Sequence, residues 1–205
     1  MNRSLTLPAA ALGSAVLLGI PAAARAQAAV GRPAPAFSAP DQTGATRTLD
    51  SYKGQWVVLE WVNHECPFVQ KHYGSGNMQK TQKAAEAKGA VWLSVSSSAP
   101  GKQGAMDAAQ ATALTRAKQA APSAVLLDPQ GTIGRAYGAK TTPHMYVIDP
   151  KGTLVYAGAI DDKPSTDPAD VAGAKNYVLA ALDEAMAGRP VTVASTQPYG
   201  CSVKY

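Results

Sequence analysis

The sequence predicts an α/β protein with a central mixed β-sheet flanked by helices. Short, almost wholly apolar runs alternate with longer helix-forming segments, and the last two apolar runs flank a tight turn at residues 149–152, "DPKG". Strands that alternate with helices form a sheet with parallel neighbours, whereas strands joined by a tight turn pair antiparallel. The predicted order is therefore β-α-β-α-β-α-β-β-α.

The first half of the chain supplies an entry segment, a strand and a long helix. Residues 30–44 are rich in Pro, Gly and Ala and are expected to be extended. The run "WVVLEWV" at residues 56–62 predicts a strand that is buried on both faces. Residues 67 to about 88 predict one helix, because Pro67 is tolerated in a first helical turn and Gly89 is a suitable stop.

The second half repeats the alternation. Residues 90–96 and 124–128 are apolar and predict two further buried strands. Residues 105–121 consist largely of helix formers, and residues 131–138 predict a short helix. After the hairpin, residues 174–188 carry apolar side chains at helical spacing and end at a glycine, which predicts the last helix.

The first 28 residues are typical of a secretory signal peptide. They hold one early charge, Arg3, then an apolar middle and a small-residue box of Ala-Arg-Ala or Ala-Gln-Ala. The apolar core is much shorter than the roughly 20 residues of a spanning helix. Export to the periplasm is expected, with no stable membrane insertion.

The remaining chain is expected to form one domain, residues 29–190, followed by a tail, residues 191–205. The formal net charge is +5, and the Lys and Arg residues are dispersed, so nucleic acid is not an expected partner. The chain has two cysteines, Cys66 and Cys201. That number is too small for a disulfide framework but sufficient for one bond or one redox pair.

Cys66 lies where the predicted long helix begins. Free N–H groups and the helix dipole stabilise an anion there, which favours a reactive thiolate. His64 is positioned to tune the thiol or move a proton, whereas the adjacent Glu65 disfavours the thiolate. A thiolate with imidazoles is also typical of copper and zinc sites, for which Cys66, His64 and His144 are the candidate ligands.

These motifs resemble a known fold family. A buried strand, a cysteine opening a helix, and a Thr142-Pro143 pair entering a hairpin resemble the thioredoxin fold. The opening "GRPAPAFSAPDQTG" and the run Cys-Pro-Phe-Val are similar to the thioredoxin-like redoxin superfamily of the AhpC/TSA type, in its peroxiredoxin-like branch. The resemblance covers roughly residues 31–188.

The resemblance implies roles for particular residues. Cys66 matches the attacking cysteine of the fold. Pro143 matches a proline that is cis in this fold, so the Thr142 backbone is expected to pair with an extended substrate, and Pro67 to contact it. Glu60 matches the buried acid that thioredoxins use as a proton acceptor, the alternative being an acid at the strand end that faces solvent.

The sequence also departs from these families. Val69 stands where thioredoxins have a second cysteine, so the resolving thiol would be Cys201. Leu59 and Asn63 replace a Pro and a Thr of peroxiredoxins, and Pro143 occupies the place of an Arg.

Three functions therefore stay open. The first is an exported thiol–disulfide oxidoreductase in which Cys66 attacks and Cys201 resolves. The second is a thiol peroxidase that uses the same two cysteines. The third is a copper chaperone, or a non-catalytic module with a structural disulfide. No cofactor is expected; the expected partners are a protein thiol or disulfide, or a peroxide, and a reductant that the sequence does not identify.

Overall fold

The computed structural model describes Met1 and residues 27–205. The signal peptide predicted for residues 1–28 falls almost entirely outside this part of the chain and stays a prediction. Within the described residues, no helix is both long and apolar enough to cross a membrane. The elements in chain order are β1 (Ser38–Pro40), β2 (Thr46–Thr48), β3 (Trp56–Trp61), α1 (Pro67–Gly74), α2 (Asn77–Ala87), β4 (Ala90–Ser96), α3 (Ala108–Ala117), β5 (Ala124–Leu127), α4 (Thr132–Tyr137), β6 (Thr141–Thr142), β7 (His144–Ile148), β8 (Leu154–Gly158), α5 (Tyr177–Met186) and β9 (Cys201–Ser202).

Five strands form the central sheet, in the order β5-β4-β3-β7-β8. Strands β3, β4 and β5 run parallel, and β7 and β8 pair antiparallel as the predicted hairpin. Strand β3 lies in the middle, as its nearly continuous apolar sequence predicts. The predicted mixed sheet flanked by helices is confirmed.

The two faces of the sheet carry separate apolar layers. Because successive side chains point to opposite faces, Val58 of β3 packs under α1, α2 and α5. Val57 and Leu59 point the other way, toward α4 and the β1–β2 ribbon. The face under α1 is the one that carries Cys66.

The prediction of one helix from residue 67 to about 88 is wrong. Helix α1 ends at Gly74, and α2 begins at Asn77. Gly76 between them has φ +75°, a left-handed conformation that glycine adopts at little cost. The glycines on both sides of Ser75 allow the chain to turn, and the Asn77 amide then donates to the His72 ring at 2.8 Å.

Helix α3 is shorter than the predicted 105–121. It begins after Asp107, whose side chain accepts from the Gln110 N–H while the Gln110 side chain accepts from the Asp107 N–H. This reciprocal cap fixes the start of the helix. Gln119, with φ +50°, lies beyond its end.

Two strand pairs were not predicted. The expected extended entry segment contains the β1–β2 ribbon, whose turn is organised by Asp41 through Thr43, Ala45 and Arg47. The second pair joins β6 to β9 near the end of the chain. Residues 191–205 therefore pack on the fold as an ordered extension.

Candidate active site

Cys66 lies at the junction of β3 and α1. It is the N-cap residue of α1, with Pro67 in the first turn, and its backbone N–H donates to the Asn63 carbonyl at 3.0 Å. Its side chain is fully buried, whereas Pro67 is exposed. A short loop after the central strand thus places the sulfur at a helix N-terminus, where the backbone favours a negative charge.

The Thr142–Pro143 segment lies opposite this sulfur. The peptide bond between the two residues is cis, as the fold resemblance implies. The Cys66 thiol donates to the Thr142 carbonyl oxygen at 3.1 Å. Both Thr142 and Pro143 are buried.

The end of the chain brings the second cysteine to the first. Strand β9 pairs antiparallel with β6, with Cys201 opposite Thr142. The Cys201 backbone N–H points at the Cys66 sulfur, with an N–S distance of 3.4 Å. The two residues are 135 positions apart, and both thiols are free.

The two thiols have opposite pKa shifts. Burial raises the pKa of Cys66, but the Cys201 thiol and the backbone N–H groups of Val69 and Cys201 outweigh it, so the pKa lies below its ordinary value. Burial and the neighbouring Cys66 sulfur raise the pKa of Cys201 to about 11. The pair therefore favours a thiolate on Cys66 and a protonated Cys201.

His64 is near the site but is not hydrogen-bonded to Cys66 among the described residues. Its ring lies edge-on to the Tyr73 ring with 4.9 Å between centroids, and its buried Nδ1 has no hydrogen-bond partner within the part of the chain that the structure describes. Burial, helped by the charge of Lys118, lowers the pKa of His64 to about 4. The imidazole is therefore neutral at neutral pH and supplies no positive charge beside Cys66.

His64 also lines a cleft beside α3. The cleft has a volume of about 430 Å³, and Met106 and Leu114 contribute to its apolar wall. Glu65 lies on the same side and accepts a hydrogen bond from the Gly104 N–H at 3.2 Å.

Glu60 is fully buried in β3, on the same face of the sheet as Val58. The alternative of a strand-end acid facing solvent is therefore wrong. Burial raises the pKa of Glu60, opposed by hydrogen bonds from neighbouring side chains. The donors are Trp92 at 2.8 Å, Ser94 and Tyr73 at 2.9 Å, and Gln82 at 3.3 Å. Among the described residues, no direct hydrogen bond joins Glu60 to Cys66.

His144 is kept apart from the other candidate metal ligands. It follows Pro143 in β7, and its Nδ1 accepts a hydrogen bond from the Lys140 N–H at 3.2 Å. The same nitrogen lies 3.2 Å from the Tyr146 hydroxyl, which donates to the Tyr137 carbonyl at 2.9 Å. The His144 ring packs on Tyr146, in the layer opposite the one that holds Cys66. Across the part of the chain that the structure describes, no three His, Cys, Asp or Glu side chains are arranged to hold a metal ion.

Sequence reasoning missed the residues that fix the end of the chain. Tyr199 contacts Asp161 and His72 through its hydroxyl group. Gly200, with φ +134°, passes so close to Thr142 that a Cβ would lie 2.0 Å from the Thr142 carbonyl oxygen. The only sequence signal was the Tyr-Gly pair directly before Cys201, which has no meaning until its distant contacts are known.

Known proteins share this architecture. An uncharacterized conserved protein from Geobacillus kaustophilus is 23% identical with a TM-score of 0.75, over 86% of this chain and 92% of that one. A hypothetical protein from Sinorhizobium meliloti 1021 is 22% identical with a TM-score of 0.73, over 88% and 96%. The thioredoxin domain of a thiol-disulfide oxidoreductase from Bacteroides vulgatus is 21% identical with a TM-score of 0.50, over 63% and 87%. These likenesses show the fold.

The family follows from the sequence itself. No curated protein matches the chain. Residues 30–157 match the model of the AhpC/TSA family, and this segment contains Cys66, the helix that it opens and the cis-proline segment. The chain therefore belongs to the AhpC/TSA family.

Proposed function

We propose that the protein is an exported thiol–disulfide oxidoreductase in which Cys66 attacks the substrate and Cys201 resolves the intermediate. The observation that supports this most is the pairing of β9 with β6, which holds the Cys201 N–H 3.4 Å from the Cys66 sulfur. Two free cysteines so distant in sequence meet only because the end of the chain folds back to this place.

The proposed reaction transfers two electrons. The Cys66 thiolate attacks one sulfur of a substrate disulfide, which forms a mixed disulfide and releases the other substrate sulfur as a thiolate. Cys201 then loses its proton and attacks the Cys66 sulfur, which forms the Cys66–Cys201 bond and releases the second substrate thiolate. An external dithiol returns both cysteines to thiols and is itself oxidised to a disulfide.

The pKa directions agree with this order of events. The helix N-terminus and the Cys201 contacts favour the anion on Cys66, and the thiolate is the attacking species. Cys201 keeps its proton until Cys66 has been consumed, because its own pKa is raised to about 11 by burial and by the neighbouring sulfur. Once Cys66 is in a mixed disulfide, its negative charge is gone and Cys201 ionises more readily.

Substrate entry requires the end of the chain to move. Cys66 is fully buried, and β9 occupies the edge of β6 to which an extended substrate would pair. When β9 leaves, the Thr142 backbone becomes available beside Cys66, with the exposed Pro67 on the other side. These residues form the substrate-binding surface that we propose.

The burial of Cys66 favours a second candidate, a thiol peroxidase. A peroxide is small enough to reach a covered sulfur with less movement than a folded protein requires. The thiolate would attack one peroxide oxygen, which gives a sulfenic acid and an alcohol or water, and Cys201 would condense with it and release water. Among the described residues, no arginine hydrogen-bonds to the Cys66 sulfur, whose partners are Thr142 and Cys201.

The copper-chaperone alternative has less support. A copper site would require both His64 and His144 beside the Cys66 thiolate. The structure places His144 on the face of the sheet opposite the one that carries Cys66.

Export remains part of the proposal. Its support is the predicted signal peptide together with two cysteines that are suited to an oxidising compartment. We expect the protein in a periplasmic extract to begin near residue 28, which intact mass spectrometry checks. A full-length chain in the cytoplasmic fraction alone would contradict export.

We expect wild-type protein to catalyse the reduction of insulin disulfides by dithiothreitol, and the Cys66→Ser variant to lose the catalysis. Cys201→Ser is expected to accumulate a mixed disulfide with the substrate, because the resolving thiol is missing. The measurements are insulin turbidity and non-reducing mass spectrometry. Hydrogen peroxide consumption with the same reductant and the same variants tests the second candidate.

Each outcome separates the candidates. Peroxide consumption that depends on Cys66, without insulin reduction, would replace the first candidate by the second. If Cys66→Ser changes neither reaction, both catalytic proposals fail.

A further inference from the structure

Tyr199, two residues before Cys201, lies in a socket formed by Phe68, Lys71, His72 and Asp161; we name this group the Tyr199 socket. The Phe68 and Tyr199 ring centroids are 5.8 Å apart, and the Lys71 ammonium lies 5.7 Å from the Tyr199 ring centroid. Lys71 is itself buried and donates to the Lys163 carbonyl at 2.7 Å. Helix α1 therefore carries both the attacking cysteine and three walls of the socket.

A directed chain of hydrogen bonds runs from Asn77 through His72 and the Tyr199 hydroxyl to Asp161. The Asn77 amide nitrogen can only donate, so the His72 Nδ1 that lies 2.8 Å away accepts. The proton of the neutral ring is then on Nε2, which donates to the Tyr199 oxygen at 3.2 Å. The Tyr199 hydroxyl in turn donates to Asp161 Oδ1.

Asp161 makes this contact costly to lose. It is 2% exposed, its Oδ1 also accepts from the Lys163 N–H at 3.0 Å, and its Oδ2 has no partner among the described residues. When a buried carboxylate oxygen loses a hydrogen-bond donor and is not hydrated in its place, the folded state is destabilised. The socket thus favours the state in which Tyr199 is seated.

The pairing of β9 with β6 is too short to hold Cys201 alone. It joins two residue pairs, Thr141 with Ser202 and Thr142 with Cys201. Isolated strand pairs of this size are marginal in water. Beyond β9, the Tyr205 hydroxyl donates to the Ala139 carbonyl at 2.7 Å, so the strand is held from both sides.

We propose that Tyr199 is a positioning residue, whose seating in the Tyr199 socket holds β9 on β6 and so keeps Cys201 at Cys66. This role rests on the proposed function, in which Cys201 must reach Cys66 to resolve the mixed disulfide. The two tyrosines that flank β9 differ in their distance from Cys201 along the chain: Tyr199 is two residues away, whereas Tyr205 is four residues away.

The quantity that reports this positioning is the effective concentration of one thiol at the other. Oxidised glutathione and the two protein thiols react to give the Cys66–Cys201 disulfide and two molecules of reduced glutathione. The equilibrium constant of this reaction has units of concentration and rises when the folded chain holds the thiols together. It is measured without any substrate, by quenching glutathione mixtures and determining the disulfide fraction by mass spectrometry.

Tyr199→Phe removes only the hydroxyl group, and Tyr199→Ala removes the ring as well. We expect the equilibrium constant to fall about tenfold in the Phe variant, as for one hydrogen bond to a buried charge, and further in the Ala variant. Tyr177→Phe is the matched control, since no hydrogen bond of the Tyr177 hydroxyl is present in the described part of the chain. It should leave the constant unchanged.

A second measurement reads the position of the tail without the disulfide. In a Cys201→Ser background, the rate of iodoacetamide reaction at Cys66 should rise about tenfold with Tyr199→Phe, because the covering strand leaves more often. An unchanged rate together with an unchanged equilibrium constant would overturn the role of Tyr199, as would an equal effect of Tyr177→Phe. Failure of wild-type protein to form the Cys66–Cys201 disulfide would instead contradict the proposed function.

Discussion

At the scale of single residues, Glu60 explains how a carboxyl group is tolerated in the centre of the sheet. Trp92, Ser94 and Gln82 donate to Oε2, and Tyr73 contacts Oε1. The Tyr73 hydroxyl can donate or accept, so the same geometry accommodates an ionised or a protonated Glu60. The buried acid is therefore satisfied in both states.

We expect Glu60→Gln to fold with a loss of less than about 1 kcal/mol, because its amide oxygen can face the three donors while its NH₂ group faces Tyr73. Glu60→Ala leaves these donors buried without an acceptor and opens a cavity. It should lower the free energy of unfolding by about 3 to 5 kcal/mol. Urea denaturation of both variants measures the difference.

The sign of the pH dependence provides a control for this prediction. Burial raises the pKa of Glu60 in the folded protein above its ordinary value of 4.5, so ionisation destabilises the fold as the pH rises. The stability of Glu60→Gln relative to wild type should therefore improve with pH above about 4.5. A constant difference would mean that the pKa of Glu60 is the same in the folded and the unfolded chain, which would contradict the effect of burial.

At the scale of elements, the position of β9 depends on Gly200. Its φ of +134° is accessible to glycine but strained for other residues, and its α-carbon faces the Thr142 carbonyl. The close approach is what allows the next residue, Cys201, to reach Cys66. A side chain at Gly200 and a seated β9 are therefore incompatible.

We expect Gly200→Ala to displace β9 and to raise the rate of Cys66 alkylation at least tenfold, because its Cβ would lie 2.0 Å from the Thr142 oxygen. Gly152→Ala is the matched control: its φ is +84°, but no atom of the described residues lies within 4 Å of its Cβ position. The control also places a side chain at a positive φ, at a hairpin turn away from β9. Equal alkylation rates in the two variants would show that strain, not the clash, determines the result.

At the scale of the whole molecule, local patterns predicted the core and missed the contacts between distant segments. The apolar run at 56–62 and the cysteine before Pro67 were sufficient to place Cys66 between strand and helix, because both signals are local. The seating of Tyr199 and the pairing of Cys201 with Thr142 depend on residues far apart in sequence. No periodicity encodes such contacts.

The chain has three histidines, His64, His72 and His144, and the structure gives them a shared property. Burial lowers the pKa of His64, His72 and His144 to about 4 each. Lys118, Lys71 and Lys140 respectively lower these pKa values further, and Asp161 partly opposes the effect at His72. All three rings are therefore neutral in the folded protein at neutral pH.

We expect the protein to lose stability as the pH falls from 6.5 to about 4. In this window the unfolded chain binds more protons on these histidines than the folded chain does, so the free energy of unfolding decreases with acidification, by up to about 3 kcal/mol for each histidine. Glu60 acts with the opposite sign, so the measurement belongs in the Glu60→Gln background. His64→Gln should reduce the slope of stability against pH by about one third, because it removes one of the three titrating imidazoles. Among residues 27–205, His64 Nδ1 has no hydrogen-bond partner that this substitution would remove. An unchanged slope in that variant would mean that burial does not lower the pKa of His64, and a midpoint of urea unfolding that does not move between pH 6.5 and 4 would mean the same of all three histidines.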